Sequence, residues 1–364
     1  MHVVFTAAHS KHCPTQELEL GRLVPFKETP SRIDAILNAL QSFGAAFPIV
    51  EPVDHGMDAI SRVHTEAYAH YLKNAYRQWV GRGGNPDGVF PDAFAVRKFA
   101  NSEHQAHHSD EKFPADGGPM GQPGYYCFDN TGIIVEGTYE AGYAAAQVAL
   151  TAADLLLQSK KSVFALCRPP GHHAHSDLCG GYCFFNNAAI AVQYILDKQP
   201  QSRVAILDID SPLDCQDYHH GNGTQDIFYQ QSNPLYTSIH GYPDYPMYWG
   251  SPSEKGEGAG MGFNVNVPLP IGTRDPEYLA ALATLLEGPI KDYAPDIIVC
   301  SLGVDTFVDD VVGNFLLSSD CYTEMGRLIA KAGTPVLFVM EGGYDVPAIG
   351  RNVTNVLRGF EESV

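Results

Sequence analysis

The sequence predicts a single α/β domain: a mainly parallel β-sheet with helices on both faces. Three observations carry that prediction. Short, continuously apolar runs recur through the second half of the chain, and most follow a longer stretch of helical periodicity. Those runs lack the polar alternation of a half-solvated sheet, so both of its faces must be covered. Histidine, aspartate and tyrosine gather just past the ends of the apolar runs, where sheets of this kind hold their ligands.

Taken in order, residues 3–6 read as a short first strand. Residues 30–40 follow as a helix, since Pro30 suits a helix start and Ile33, Ile36, Leu37 and Leu40 share one face. Residues 65–79 give a second helix. Residues 81–124 are rich in Gly, Pro and His with little periodicity, and so long a connection in a compact domain implies a job. From residue 137 the alternation is regular. An Ala-rich helix over 137–158 feeds a strand at 162–166, helix 186–198 feeds strand 204–208, and 235–240 is a further strand. Helix 276–293 precedes strand 297–301, and helix 322–332 precedes strand 335–340. No internal repeat and no second domain interrupts residues 1–364.

Composition excludes several classes. The 45% hydrophobic and 18% charged content is that of an ordinary globular protein. No apolar run approaches the roughly 20 residues that cross a bilayer. The start of the chain lacks a basic segment followed by a long apolar one, so the expected location is the cytoplasm. A formal charge of −19 offers no basic stripe for phosphates, so nucleic acid is excluded as a partner. It suits a cationic substrate, because an acidic surface steers cations. Eight cysteines are scattered without a Cys-x-x-Cys pair, and Cys167, Cys183 and Cys300 read as buried thiols.

The chemistry sits in four places. Arg168-Pro169-Pro170-Gly171-His172-His173 follows one strand, and Asp217-Tyr218-His219-His220-Gly221-Asn222-Gly223 lies beyond another. Ser301-Leu302-Gly303-Val304-Asp305 brings a carboxylate past a third, and Glu341-Gly342-Gly343-Tyr344 a phenol past a fourth. Tandem histidines are costly to bury without partners, and adjacent ones in extended chain point to opposite sides. Aspartate, histidine, a histidine dyad and a tyrosine are the parts of a zinc hydrolase.

At these residues, together with Gly180-Gly181-Tyr182-Cys183-Phe184-Phe185-Asn186-Asn187 and the stretch from His219 to Tyr229, the chain resembles the histone deacetylase superfamily. Within it the likeness is greatest to the bacterial acetylpolyamine amidohydrolases. The resemblance implies the arginase-deacetylase fold and one zinc per chain, held by Asp217, His219 and Asp305. It makes His173 the general base and His172 its electrostatic partner, oriented by Asp208, with Tyr344 donating to the oxyanion. Gly181, Tyr182 and Asp129 would line a narrow substrate tunnel. A structural potassium would sit near Asp208, His219 and Ser238. The segment at 81–124 would be a flap that packs against a second subunit, giving a homodimer. The implied reaction is release of acetate from a small N-acetylated amine, an acetylpolyamine or a similar cationic amide. Rival readings are an acyl-lysine protein deacetylase and a non-catalytic amide-binding protein.

Two departures qualify that pattern. The family reads Asp-x-Asp-aromatic-His-His without a break, whereas here Asp208-Ile209-Asp210 is followed by Ser211 to Gln216 before Asp217-Tyr218-His219-His220. Either Asp217 keeps the two-residue spacing to His219, the preferred register, or Asp210 remains the ligand and the insertion loops out. Polyamine-selective members also carry a glutamate a few residues past a Tyr-Tyr pair. After Tyr125-Tyr126 this chain has Thr131 near that position, with Asp129 as the substitute or as a turn residue. Asn222 matches the amidohydrolase branch, and an amide there stabilises imidazolium less than a carboxylate would.

Overall fold

The computed structural model describes residues 1–94, 118–210, 220–243, 245–313 and 315–364. Among the described residues, ten strands form two sheets: β1 His2–Val4, β2 Gln16–Glu19, β3 Arg22–Pro25, β4 Ile49–Val50, β5 Val163–Ala165, β6 Val204–Asp208, β7 Leu235–Gly241, β8 Asn264–Leu269, β9 Ile297–Leu302 and β10 Val336–Met340. Eight of them make one sheet in the order β4-β1-β5-β10-β9-β6-β7-β8, and β2-β3 is a separate hairpin. Every pairing in the large sheet is parallel. The predicted parallel sheet is therefore present, and its topology decides where the site falls.

The helices are α1 Ser31–Gln41, α2 Glu66–Val80, α3 Gly118–Tyr125, α4 Thr138–Ser159, α5 Asn187–Lys198, α6 Asn222–Phe228, α7 Asp275–Leu285, α8 Ser319–Ala330 and α9 Val346–Glu361. Strand side chains alternate between the two faces. Leu337 and Val339 of β10 pack with α2, α4 and α5. Val336, Phe338 and Met340 pack with α1, α7, α8 and α9 on the other face. All five are fully buried, so the apolar run of β10 serves two cores at once.

Two expectations change in detail. The helix foreseen at 276–293 is α7 followed by a wide turn at Leu286–Ile290, where Pro289 removes a backbone donor, and a last turn at Lys291–Tyr293. The end of the expected loop at 81–124 is helical, as α3. Within the expected flap, residues 95–117 lie outside the described residues.

Candidate active site

Four neighbouring strands deliver the predicted groups. In the sheet, β5, β10, β9 and β6 lie side by side, and each ends in one of the sequence motifs. His172 and His173 follow β5, Tyr344 follows β10, Asp305 follows β9 and Asp210 follows β6. Motifs far apart in the chain thus converge because their strands are adjacent, at the carboxyl edge where a ligand crevice belongs. A larger groove of about 500 Å³, lined by Glu287, Pro295 and Thr334, opens near the amino ends of β9 and β10. None of these groups reaches it.

His172 sits between two carboxylates, Nδ1 3.2 Å from Asp208 Oδ2 and Nε2 3.0 Å from Asp210 Oδ2. Burial alone would lower its pKa, but Asp208 and Asp210 outweigh that and hold it well above the usual histidine value. Burial raises the carboxyl of Asp208 in turn, with His172 opposing. The histidine pair is not extended, as the sequence suggested. It lies in a turn closed by the Ala174 N–H donating to Gly171 O at 2.9 Å, and the two rings are 4.1 Å apart. That turn is held from below by Glu341, whose Oε2 accepts the N–H groups of Gly171 at 2.6 Å and His172 at 3.1 Å. Burial lifts Glu341 to about 8.

His173 faces a different wall. Its Nδ1 is 2.7 Å from Asn222 Oδ1, at the first residue of α6. Gly181 approaches so closely that a Cβ there would collide with the His173 ring, and its φ of +53° suits glycine. Tyr182 follows at φ +62°, a strained value for a non-glycine residue. Its hydroxyl donates to Glu17 Oε1 at 3.1 Å, and its ring lies 5.5 Å from that of Tyr344.

Tyr344 is 5% exposed. Burial raises its pKa well above the usual phenol value, with Arg32 opposing and Asp305 and Asp210 adding to it. The Arg32 guanidinium lies 4.7 Å over the Tyr344 ring, and the backbone N–H of Tyr344 donates to Asp310 Oδ2 at 2.6 Å. Arg32 also donates to Gly343 O at 2.5 Å and Glu341 O at 2.7 Å. Arg168 donates to His9 O, His12 O and Glu28 O at 2.7–2.9 Å, and both guanidiniums share the buried Glu28 carboxylate. The N-terminal segment is thereby tied to the β5 and β10 tips.

Asp210 and Asp305 are buried, at 1% and 0% exposure. Their oxygens converge on Gly342: a Cβ there would collide with Asp305 Oδ2 and come within 2.8 Å of Asp210 Oδ1. Buried carboxylates this close call for a cation or a proton between them. The donor set fits a divalent metal, with an imidazole to complete it. Asp217 and His219 lie outside the described residues, as do all of 211–219. Among the described residues no cluster of three or more metal-ligating side chains forms. For the potassium expectation, Asp208 and Ser238 are register partners across β6 and β7, and Ser238 Oγ is 2.9 Å from His240 Nδ1.

Asp129 turns out to organise a loop as well as line the cleft. Its carboxylate accepts from Thr131 N–H at 3.1 Å, Thr131 hydroxyl at 2.9 Å, Gly181 N–H at 3.0 Å and the Tyr245 hydroxyl. The cleft above the site, about 330 Å³, is lined by Glu17, Glu19, Phe128, Asp129, Tyr182 and Tyr245 among others. Its wall residues Tyr182 and Tyr245 touch the rings of Tyr344 and His173, each at 5.5 Å. Sequence reading missed Glu17 and Arg32, and gave no role to Arg168 and Glu341 although both stand in its motifs. The only signal for them was charge inside or beside otherwise apolar stretches.

A buried histidine dyad, a phenol and paired carboxylates at the carboxyl edge of a parallel sheet define a hydrolase of the amide-cleaving kind. The chain belongs to the histone deacetylase family: the histone deacetylase domain model matches residues 26–360. It is similar to acetylpolyamine amidohydrolase 1 of Pseudomonas aeruginosa, at 45% identity over 98% of both chains. Acetylpolyamine amidohydrolase of Mycoplana ramosa is 41% identical over 99% of both. The crystal structure of acetylpolyamine aminohydrolase from Burkholderia pseudomallei superposes with a TM-score of 0.88 at 33% identity, covering 100% of this chain and 99% of that one. Enzymes of this family are hydrolases that depend on a metal. No helix among the described residues is long and apolar enough to cross a membrane.

Proposed function

We propose that the protein hydrolyses N-acetylated polyamines, or similar small cationic amides, to the free amine and acetate. The observation that carries this reading is a cleft whose walls set three carboxylates, Glu17, Glu19 and Asp129, against one cation, Lys27, and whose Tyr245 and Tyr182 pack against the His173 and Tyr344 rings. Full-length similarity to proteins named as acetylpolyamine amidohydrolases supports it.

In this reading Asp210, His219 and Asp305 hold a zinc ion, which when bound polarises the amide carbonyl and acidifies water. Asp210 takes precedence over Asp217 because its carboxylate already converges with that of Asp305 across Gly342. His173, with Nδ1 bonded to Asn222, presents Nε2 to take a proton from the attacking water and return it to the leaving nitrogen. His172, clasped by Asp208 and Asp210, supplies positive charge beside it. The Tyr344 hydroxyl stays protonated and donates to the oxyanion. A potassium ion beside Asp208 and Ser238, and a homodimer formed through the 81–124 segment, belong to the same reading. The seven cysteines among the described residues are free thiols, in keeping with a reducing compartment such as the cytoplasm.

Turnover of acetylputrescine by the purified, zinc-loaded protein is the test. Hydrolysis of acetyl-lysine peptides in place of acetylputrescine would overturn the polyamine assignment.

A further inference from the structure

Behind His173 runs a chain of side chains that the reaction does not itself require. His173 Nδ1 is 2.7 Å from Asn222 Oδ1, Asn222 Nδ2 is 3.0 Å from His175 Nε2, and His175 Nδ1 is 2.9 Å from Asp226 Oδ2. Asn222 and His175 are buried, whereas the Asp226 side chain is 45% exposed. The chain therefore leads from the floor of the site to the surface.

The roles along it are fixed by chemistry. An ionised carboxylate accepts hydrogen bonds and cannot donate, so the proton on His175 sits on Nδ1. Nε2 of His175 is then an acceptor, and the partner in reach is the Asn222 amide, which must turn its NH₂ toward it. The amide carbonyl consequently faces His173, where it can only accept. Nδ1 of His173 carries the proton, and the lone pair is left on Nε2. The bond from Asn222 to His175 thus selects the tautomer of His173.

Rigid elements hold every member. Asn222 and Asp226 are four residues apart on α6 and so share one face, with His175 bridging them. The His175 ring is clamped edge-on by Phe128 at 5.9 Å and Trp249 at 5.6 Å. Turning the amide over would set donor against donor at His173 and acceptor against acceptor at His175, and turning a ring over would put carbon where nitrogen now bonds.

We propose that Asp226 and His175 are positioning residues which, acting through the Asn222 amide, hold His173 in the tautomer that serves as a base. This rests on the reading of His173 as the general base. It adds two residues that touch neither substrate nor metal, one of them at the surface.

Asp226→Asn is the informative variant, because an amide at an exposed position accepts or donates and so frees His175 to take either tautomer. In the zinc-loaded protein we expect kcat on acetylputrescine to fall about tenfold with KM unchanged, well short of the roughly 10⁴-fold cost of a fully wrong tautomer in a triad enzyme. The imidazole nitrogen resonances of His173 should show the second tautomer appearing, and Asp226→Glu should restore both readouts. His175→Phe, which keeps the ring packing and removes the acceptor, should do the same as Asp226→Asn. An unchanged His173 tautomer together with unchanged kcat in Asp226→Asn would overturn the proposal, whether or not His175→Phe folds. Should the unaltered protein fail to cleave acetylated amines, the functional reading falls. The His173 resonances of Asp226→Asn then decide the positioning claim alone.

Discussion

The floor of the site and its mouth are both acidic, yet their carboxylates are held in opposite ways. On the floor, Asp208, Asp210, Asp305 and Glu341 are at most 1% exposed and project from the tips of adjacent sheet strands. Glu341 is gripped by backbone N–H groups, and Asp208 and Asp210 by an imidazole. At the mouth, Glu17 comes from the β2-β3 hairpin and Asp129 from a loop, and their partners are tyrosine hydroxyls and other loop groups. The difference is instructive about where change is tolerated. Moving a floor carboxylate means moving a buried strand; moving one at the mouth means altering a loop. Reaction type is thus fixed by the sheet, and substrate choice is left to segments that can vary.

Removing a floor group should break this contrast most visibly. His173→Ala or Tyr344→Phe should lower kcat by about 10²–10⁴-fold. The urea midpoint should barely move in Tyr344→Phe, which keeps the ring, and should fall modestly in His173→Ala, which leaves the Asn222 amide oxygen without its buried partner. A next, smaller effect comes from giving the neutral wall the character of the charged one. Asn222→Asp places a carboxylate against His173 and favours its imidazolium, so the acid limb of kcat/KM should move up by about one pH unit. A limb that stays put would mean the two walls do not set the two histidines apart.

Milder still is the mouth. Burial pushes Glu17 up to about 7, so it is neutral below that pH and anionic above it. KM for an acetylated diamine should fall as pH rises through about 7 by roughly threefold, while KM for an uncharged acetamide stays level. Glu17→Gln should flatten the first curve onto the second. The smallest effect lies in the layer that braces the floor, where His64 Nε2 accepts the Asn186 N–H at 2.9 Å. Burial pushes this imidazole down to about 3 from its ordinary 6.5. The unfolded chain therefore gains a proton first, and stability should decline as pH falls from 6.5 toward about 3. Denaturant midpoints of the unaltered protein and His64→Gln, compared across that window, should converge at low pH.

Much of the sheet was legible because β5, β6, β9 and β10 are buried on both faces and read as unbroken apolar runs. β8 was not, since an edge strand needs only one covered face, and its inward positions include Asn264 and Asn266. The β2-β3 hairpin escaped for a similar reason, as it is mostly solvated. Helix α3 carries Pro123 and three glycines, which argue against helix locally. At the site, residue types and strand-end placement identified His172, His173, Asp305 and Tyr344. Their rotation did not follow from spacing: the histidine pair turns instead of extending, so one chain segment presents both rings to one place. Which aspartate joins Asp305 could not be read from spacing either. Chelate spacing favours Asp217, which lies outside the described residues, while Asp210 lies beside Asp305 across Gly342.

The clasp formed by Arg168, Arg32 and Glu28 has a practical consequence. Residues up to the first turn of α1 behave as a buttress for machinery made 140 to 311 positions later, so a protease nick near Thr15 or a bulky fusion at the leading end would loosen the Tyr344 loop at a distance. Such damage would be silent in any assay of secondary structure and conspicuous in turnover.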